Sequence, residues 1–151
     1  GRPEMNNEET IQAELVKNFP FLDGKIRLQR ERRIFAEVPA DKFLEIFTYA
    51  HTKMDFPILC TIVGLDEGEL LSCLYFLAKE NGIILSLKIS VPKETPVIKT
   101  ITQVFPAAEM YEREVVDLLG IKVEGLEEGR RYPLPDNWPA DQYPLRKDWQ
   151  Q

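Results

Sequence analysis

Between residues 58 and 91 the chain carries three apolar runs, each long enough for a strand and separated from the next by a tight-turn signal. The runs are Ile58–Leu65, Leu70–Ala78 and Ile83–Val91, and the turns are Asp66–Gly68 and Asn81–Gly82. Asn-Gly is a strong hairpin signal because both residues tolerate a positive φ. The pattern predicts a β-meander, and a sheet so rich in Ile, Leu and Val needs a covering layer.

Helical patterns on both sides of the meander supply that layer. We expect a helix over Glu8–Asn18, one opened by Pro39-Ala40-Asp41 with Asp41 as its N-cap that ends before Asp55, a short one over Pro96–Phe105, and one from Pro106 to Leu119 that stops at Gly120. Strands at Lys25–Gln29, with Ile26 and Leu28 half-buried, and at Ile34–Val38 would form a hairpin turning at Arg30–Arg33. The predicted fold class is α+β, a two-layer arrangement in which helices cover a mixed, mostly antiparallel sheet.

The last part of the chain differs from the rest in composition and is not expected to form a regular element. Gly129–Trp149 holds four prolines, both tryptophans and two tyrosines, so it predicts an irregular segment that is too aromatic for a flexible linker. It should lie against its own domain or against another subunit, and the sequence favours neither. The predicted layout is a disordered N-terminus (1–9), an α+β domain (10–128) and an interaction tail (129–151). We expect Met5 to be the native start, with residues 1–4 a cloning remnant.

Composition and motifs argue against chemistry in this chain. Its net charge is -6, which disfavours a nucleic-acid binder, and no apolar run reaches the length of a membrane span. Cys60 and Cys73 fit buried core thiols, and His51 has no partners for a metal or catalytic site. Glycine-rich phosphate loops and nucleophile motifs are absent from the sequence. The basic cluster Arg30–Arg33 fits a solvated hairpin tip better than a docking patch.

Three stretches carry a family resemblance. Phe105–Ile121, which reads FPAAEMYEREVVDLLGI, resembles the signature helix of the 30-kDa subunit of respiratory complex I, also called the C subunit of NADH-quinone oxidoreductase. Tyr143–Trp149 resembles the PLRKDF ending of that family, and Val91-Pro92 with Pro96-Val97 also fit it. Leu134–Pro139 resembles the LPDDWP stretch of subunits from energy-converting [NiFe] hydrogenases and formate hydrogenlyase.

The resemblance implies a non-catalytic subunit in the hydrophilic arm of such a complex. It implies docking onto a large hydrogenase-like (49-kDa-type) subunit, next to a small Fe-S subunit. No cofactor would lie in this chain, with Fe-S, Ni-Fe or flavin groups in the partners. The location would be cytoplasmic, and the membrane would be reached only through partner subunits. Three alternatives remain open: the C subunit of NADH-quinone oxidoreductase proper, a stand-alone enzyme with a polar pocket, and a regulatory α+β binding module.

The resemblance also marks signature and interface residues. They are Glu112, Arg113, Glu114, Asp117 and Gly120 on the helix, Arg130 and Arg131 after it, and Trp138, Pro144, Leu145, Arg146, Lys147, Asp148 and Trp149 in the tail. On a helical wheel Glu112 falls within the apolar face, so it should be buried and paired, and we expect Arg130 or Arg131 as its partner. Arg113 and Asp117 fall on the polar side. Arg146 should bind a carboxylate of the signature helix or of the partner.

Overall fold

The computed structural model describes residues 7–126, 134–135 and 137–148. Its helices are α1 (Asn7–Asn18), α2 (Phe43–Lys53) and α3 (Glu109–Leu119). Its strands are β1 (Ile26–Arg30), β2 (Arg33–Glu37), β3 (Ile58–Asp66), β4 (Leu70–Ala78), β5 (Ile84–Pro92), β6 (Val97–Lys99) and β7 (Lys122–Glu124). Short 3-10 helices at Pro20–Leu22, Ala40–Lys42 and Pro106–Ala108 complete the regular structure of this part of the chain.

The main sheet has five strands in the order β1-β2-β5-β4-β3, and β6 and β7 form a separate two-stranded sheet. β1 and β2 pair antiparallel, whereas β2 and β5 pair parallel, with Ile34 opposite Leu85. The predicted meander is therefore the β3-β4-β5 part of a mixed, mostly antiparallel sheet. This confirms the α+β fold class.

The chain divides into two compact units. The first comprises Gly1–Cys60 and Tyr75–Lys88, and the second comprises Thr61–Leu74 and Ile89–Gln151. In the first unit α2 buries Phe43, Ile46, Phe47 and Ala50. The rings of Phe43 and Tyr75 lie 4.3 Å apart. This aromatic cluster is part of the core of the first unit, as expected for large rings that bury extensive apolar surface.

Several local predictions for the first unit need correction. Asp41 is not an N-cap, because it lies inside the 3-10 helix Ala40–Lys42 that precedes α2, and no side chain caps α2. Cys60 is exposed rather than buried. Leu28 is also exposed, because every residue of β1 after Ile26 faces solvent. At the N-terminus, α1 begins at Asn7, so residues 7–9 are helical and not part of a disordered segment.

The second unit contains β6, β7 and α3. The predicted helix over Pro96–Phe105 is wrong, because residues Val97–Lys99 form β6 and pair parallel with β7. Val97 is exposed, Ile98 is buried, Lys99 is exposed and Thr100 is buried. This alternation has the period of a strand, and β-branched side chains favour it. The following helix begins with the predicted Pro106 and ends at Gly120 in the left-handed conformation, as expected.

Candidate functional site

Glu112 lies in the first turn of α3 and is completely buried. Its Oε1 accepts a hydrogen bond from the Thr100 hydroxyl at 2.6 Å, and its Oε2 accepts one from the backbone N–H of Ile101 at 2.8 Å. The carboxylate therefore joins α3 to the turn that follows β6. Burial raises the pKa of Glu112, although the two hydrogen bonds and the charge of Arg113 act in the opposite direction.

The burial predicted for Glu112 is confirmed. Its predicted partner, Arg130 or Arg131, lies outside the described residues, so that pairing stays a prediction. The Thr100 hydroxyl and the Ile101 N–H are the donors that reach this carboxylate among residues 7–126. They satisfy one acceptor site on each oxygen, as a buried carboxylate requires.

The other polar signature residues of α3 differ in exposure. Arg113 donates from Nε and Nη2 to Glu109 Oε1, at 3.1 and 2.8 Å, one helical turn earlier. Glu114 is half-buried. Asp117 is only 8% exposed, so its predicted place on the polar side is wrong. Asp117 lines a small cavity together with Ala140 and Tyr143 of the tail, which a wheel of the helix alone does not include.

The tail segment Tyr143–Asp148 lies on the C-terminal end of α3. The backbone N–H of Leu145 donates to the Leu118 carbonyl at 2.8 Å, and Arg146 Nε donates to the Leu119 carbonyl at 2.8 Å. These carbonyls belong to the last turn of the helix, where carbonyl groups have no hydrogen-bond donors within the helix itself. The tail thus takes the place of a C-terminal cap.

Gly120 permits this close approach. Its φ is +79°, and a Cβ built there would lie 2.8 Å from the Tyr143 ring and 2.9 Å from Arg146 Nη2. Arg146 in turn stacks over the Tyr143 ring, with 4.9 Å from its Cζ to the ring centre. Only glycine combines the left-handed conformation with room for both side chains.

Asp66, at the end of β3, holds the same tail segment. Its Oδ2 accepts from the backbone N–H of Lys147 at 2.7 Å and from Lys93 Nζ at 2.7 Å, and its Oδ1 accepts from the Gly68 N–H at 2.9 Å. Partial burial alone would raise the pKa of Asp66, but these bonds and the charge of Lys93 lower it to about 2. Lys93 also reaches Asp148, at 3.6 Å.

Earlier in the tail, Trp138 forms a compact turn. Its backbone N–H donates to the Pro135 carbonyl and its ring N–H to the Gln142 carbonyl, both at 2.9 Å. Pro144 is half-buried, and Leu145 is 49% exposed. Trp149 lies outside the described residues, like Arg130 and Arg131. The sequence left open whether the tail lies against its own domain or against another subunit. The described end of the tail contacts its own unit.

Sequence reasoning missed Asp66, Lys93 and Thr100 as parts of this surface. The Asp66-Glu67-Gly68 sequence did mark a turn, and the bond from the Gly68 N–H to Asp66 is the interaction that such turns use. The hydrogen bond from the Lys147 N–H to Asp66 spans 81 positions, so the sequence around Asp66 does not indicate it. Arg146 was expected to bind a carboxylate of the signature helix or of the partner. Its acceptor within the described chain is the Leu119 carbonyl, so a carboxylate of the helix is wrong and one of the partner stays a prediction.

A metal site, a reactive thiol and a membrane span each place requirements on the described residues. Residues 7–126, 134–135 and 137–148 contain no group of three His, Cys, Asp or Glu side chains placed to hold a metal ion. Burial, with a smaller effect of Glu112, raises the pKa of the Cys73 thiol to about 12, so this sulfur is protonated and unreactive at neutral pH. None of the helices in this same part of the chain combines the length and hydropathy of a membrane span.

Comparison with known proteins gives a consistent set of relatives. Residues 36–151 match the family described as the 30-kDa subunit of respiratory-chain NADH dehydrogenase. The C subunit of the F(420)H(2) dehydrogenase of Methanosarcina mazei is 31% identical over 144 residues, which cover 93% of this chain and 90% of the relative. The membrane-bound hydrogenase subunit beta of Pyrococcus furiosus is 25% identical over 152 residues, covering 95% and 87%.

The fold also matches a solved assembly. A chain in the structure of the membrane-bound sulfane sulfur reductase, described as an archaeal respiratory membrane complex, superposes with a TM-score of 0.84. The sequences are 29% identical, and the match covers 96% of this chain and 86% of that one. The likeness therefore extends over nearly the whole chain and includes the tail region.

Proposed function

This chain belongs to the family of the 30-kDa subunit of respiratory-chain NADH dehydrogenase, and from that membership we propose that it is a cofactor-free structural subunit of a membrane-associated energy-converting hydrogenase or related complex I-like oxidoreductase. Its task is to dock onto the hydrogenase-like large subunit of the hydrophilic arm, next to the small Fe-S subunit. It works at the cytoplasmic face, and partner subunits supply both the redox groups and the attachment to the membrane.

The proposal rests on one observation: the residues of the family motifs form hydrogen bonds within the chain. Glu112 on the signature helix accepts its two bonds from Thr100 and Ile101, and the ending Pro144–Asp148 is fixed to the end of that helix and to Asp66. Side chains that could do chemistry thus hold α3, the turn after β6 and the tail in one fixed arrangement. A rigid surface loses little entropy on association, which suits a docking role.

The relatives support a place within a large complex. The two sequence relatives are by name subunits of a dehydrogenase and of a membrane-bound hydrogenase, and the matching solved chain comes from a respiratory membrane complex. These names differ in electron donor but agree in being multi-subunit oxidoreductases. A common docking role explains that agreement, because a non-catalytic subunit need not change when the donor does.

A second candidate is the C subunit of NADH-quinone oxidoreductase proper. The family description itself, which names NADH dehydrogenase, favours it. Both candidates would dock onto a hydrogenase-like large subunit. They differ in the part of the complex that takes electrons from the donor. A stand-alone enzyme is less well supported, because the carboxylates of Glu112, which is buried, and Asp66, which is half-buried, are engaged in internal hydrogen bonds.

Affinity purification from the native host tests the proposal. A tagged chain should bring down a large hydrogenase-like subunit and a small Fe-S subunit, and the isolated chain should be colourless and free of metal. Electron transfer by the purified complex from hydrogen or from NADH then separates the two candidates. Recovery of the chain alone, or with a transcription factor or other soluble regulator, would reject the subunit role.

A further inference from the structure

Arg146 is held in place while most of its hydrogen-bond donors stay available. Its Nε donates to the Leu119 carbonyl at 2.8 Å, and its plane lies over the Tyr143 ring. A guanidinium has five N–H donors, so four remain on the two terminal amino groups. No acceptor for these four lies within the part of the chain that the structure describes. The side chain itself is half-buried.

Arg146 lines a groove within the second unit. The groove has a volume of about 830 Å³. Its lining consists of Gly68, Glu69, Leu70, Pro92, Lys93, Glu94, Arg146 and Asp148. The charge of Lys93 is already met by Asp66 at 2.7 Å and by Asp148 at 3.6 Å. Arg146 is therefore the cation of this groove whose charge is left for a ligand.

The groove has the character of a protein-binding site. Leu70 in its wall is 44% exposed, and Leu145, beside Arg146 in the chain, is 49% exposed. Arginine is among the residues enriched in interface hot spots, and surrounding contacts there exclude water from the polar contact. Glu69 and Glu94 also line the groove. Their charge would repel a small free acid, but a peptide segment that carries both signs can satisfy them together with Arg146.

We propose that this groove receives an aspartate or glutamate side chain from the large partner subunit, bound at two points by the terminal amino groups of Arg146. This inference rests on the proposed function. Arginine suits the task because its planar fork matches the two oxygens of a carboxylate. The bond to Leu119 and the stacking on Tyr143 fix the fork before the partner arrives, so little side-chain entropy is lost on binding.

Binding of variants to the purified large subunit tests the groove. Arg146→Gln removes the charge, Arg146→Lys keeps the charge but removes the fork, and Lys99→Gln is the matched control. Lys99 is an exposed lysine of the same unit that does not line the groove and is not one of the interface residues. Both Arg146 variants should raise the dissociation constant by about tenfold or more, since a desolvated charge pair loses a partner. The Lys99 variant should stay within about twofold, because an exposed charge outside the groove contributes little.

Circular dichroism of each isolated variant checks folding, since Arg146 also bonds to Leu119. If an Arg146 variant does not fold, photo-cross-linking provides the test. It uses a chain that keeps Arg146 and carries a photo-reactive residue in place of Leu70. The partner peptide cross-linked from this position in the complex should contain Asp or Glu. Equal affinities for the Arg146 and Lys99 variants, or a cross-linked peptide without a carboxylate, would overturn the groove inference alone. Failure of the wild-type chain to bind the large subunit would reject the proposed function and this inference with it.

Discussion

At the scale of single residues, two buried or half-buried carboxylates determine how the second unit holds together. Glu112 and Asp66 have opposite pKa shifts for clear physical reasons. Glu112 has two neutral donors and no cation bonded to it in the described chain, so burial dominates and its pKa rises. Asp66 has Lys93 and two backbone N–H groups, so its pKa falls to about 2 despite partial burial. Glu112 positions α3 against the turn after β6, and Asp66 contributes stability that depends on its charge.

Glu112→Ala should lower the free energy of unfolding by about 2–4 kcal/mol, because it leaves the Thr100 hydroxyl and the Ile101 N–H without acceptors and creates a cavity. The control is Glu109→Ala on the same helix, where an exposed ion pair with Arg113 is lost and the expected change is within about 0.5 kcal/mol. Urea unfolding of both variants measures the difference. Equal losses would mean that burial of Glu112 contributes nothing specific.

Asp66→Asn should destabilise the chain in a pH-dependent way. The folded pKa of Asp66 is below its unfolded value, so its contribution is fully present above about pH 4 and is lost as the pH falls toward 2. At pH 7 the variant should lose about 1–3 kcal/mol, as for a charged hydrogen-bonded group. Unfolding curves recorded from pH 7 to pH 2 should show the two proteins converging. A difference that does not change with pH would contradict this assignment.

At the scale of elements, α3 shows what the sequence can and cannot predict. The 3-10 turn that leads into it at Pro106, its end at Gly120 and the burial of Glu112 follow from local signals that act over one or two helical turns. The helix wrongly predicted before it shows the limit. A three-residue strand such as β6 exists because β7, more than 20 positions later, pairs with it. The Asp66 contact with Lys147 is non-local in the same way.

Gly120→Ala tests whether the end of α3 and the tail act together. Alanine at a left-handed position costs about 1–2 kcal/mol by itself. At Gly120 its Cβ would also meet the Tyr143 ring at 2.8 Å, so we expect a further loss of roughly 1–3 kcal/mol from displacing the tail. Gly24→Ala is the matched control, because Gly24 has a φ of +80° and no atom within 4 Å of an added methyl group. Equal losses in thermal unfolding would show that the tail does not press on Gly120.

At the scale of the whole molecule, the tail serves the chain's own fold and the proposed docking surface together. Deletion of residues 129–151 removes the donors to Leu118, Leu119 and Asp66. We expect a folded chain that is less stable by about 2–4 kcal/mol, at roughly 1 kcal/mol for each hydrogen bond lost, and that no longer joins the large subunit. Deletion of Gln150 and Gln151 alone is the control and should change neither property, because neither is among the signature and interface residues. A truncated chain that unfolds completely, or one that assembles normally, would contradict this division of roles.

The most direct test of the account is lysine-directed cross-linking of the purified complex, read out by mass spectrometry. Lys93 and Lys147 lie at the tail surface of the second unit, and Lys17 and Lys53 lie on helices of the first. The account predicts cross-links from Lys147 or Lys93 to the hydrogenase-like large subunit, and fewer or none from Lys17 and Lys53. Cross-links to that subunit only from Lys17 or Lys53, or none at all, would contradict the claim that this chain docks through the surface built by its tail.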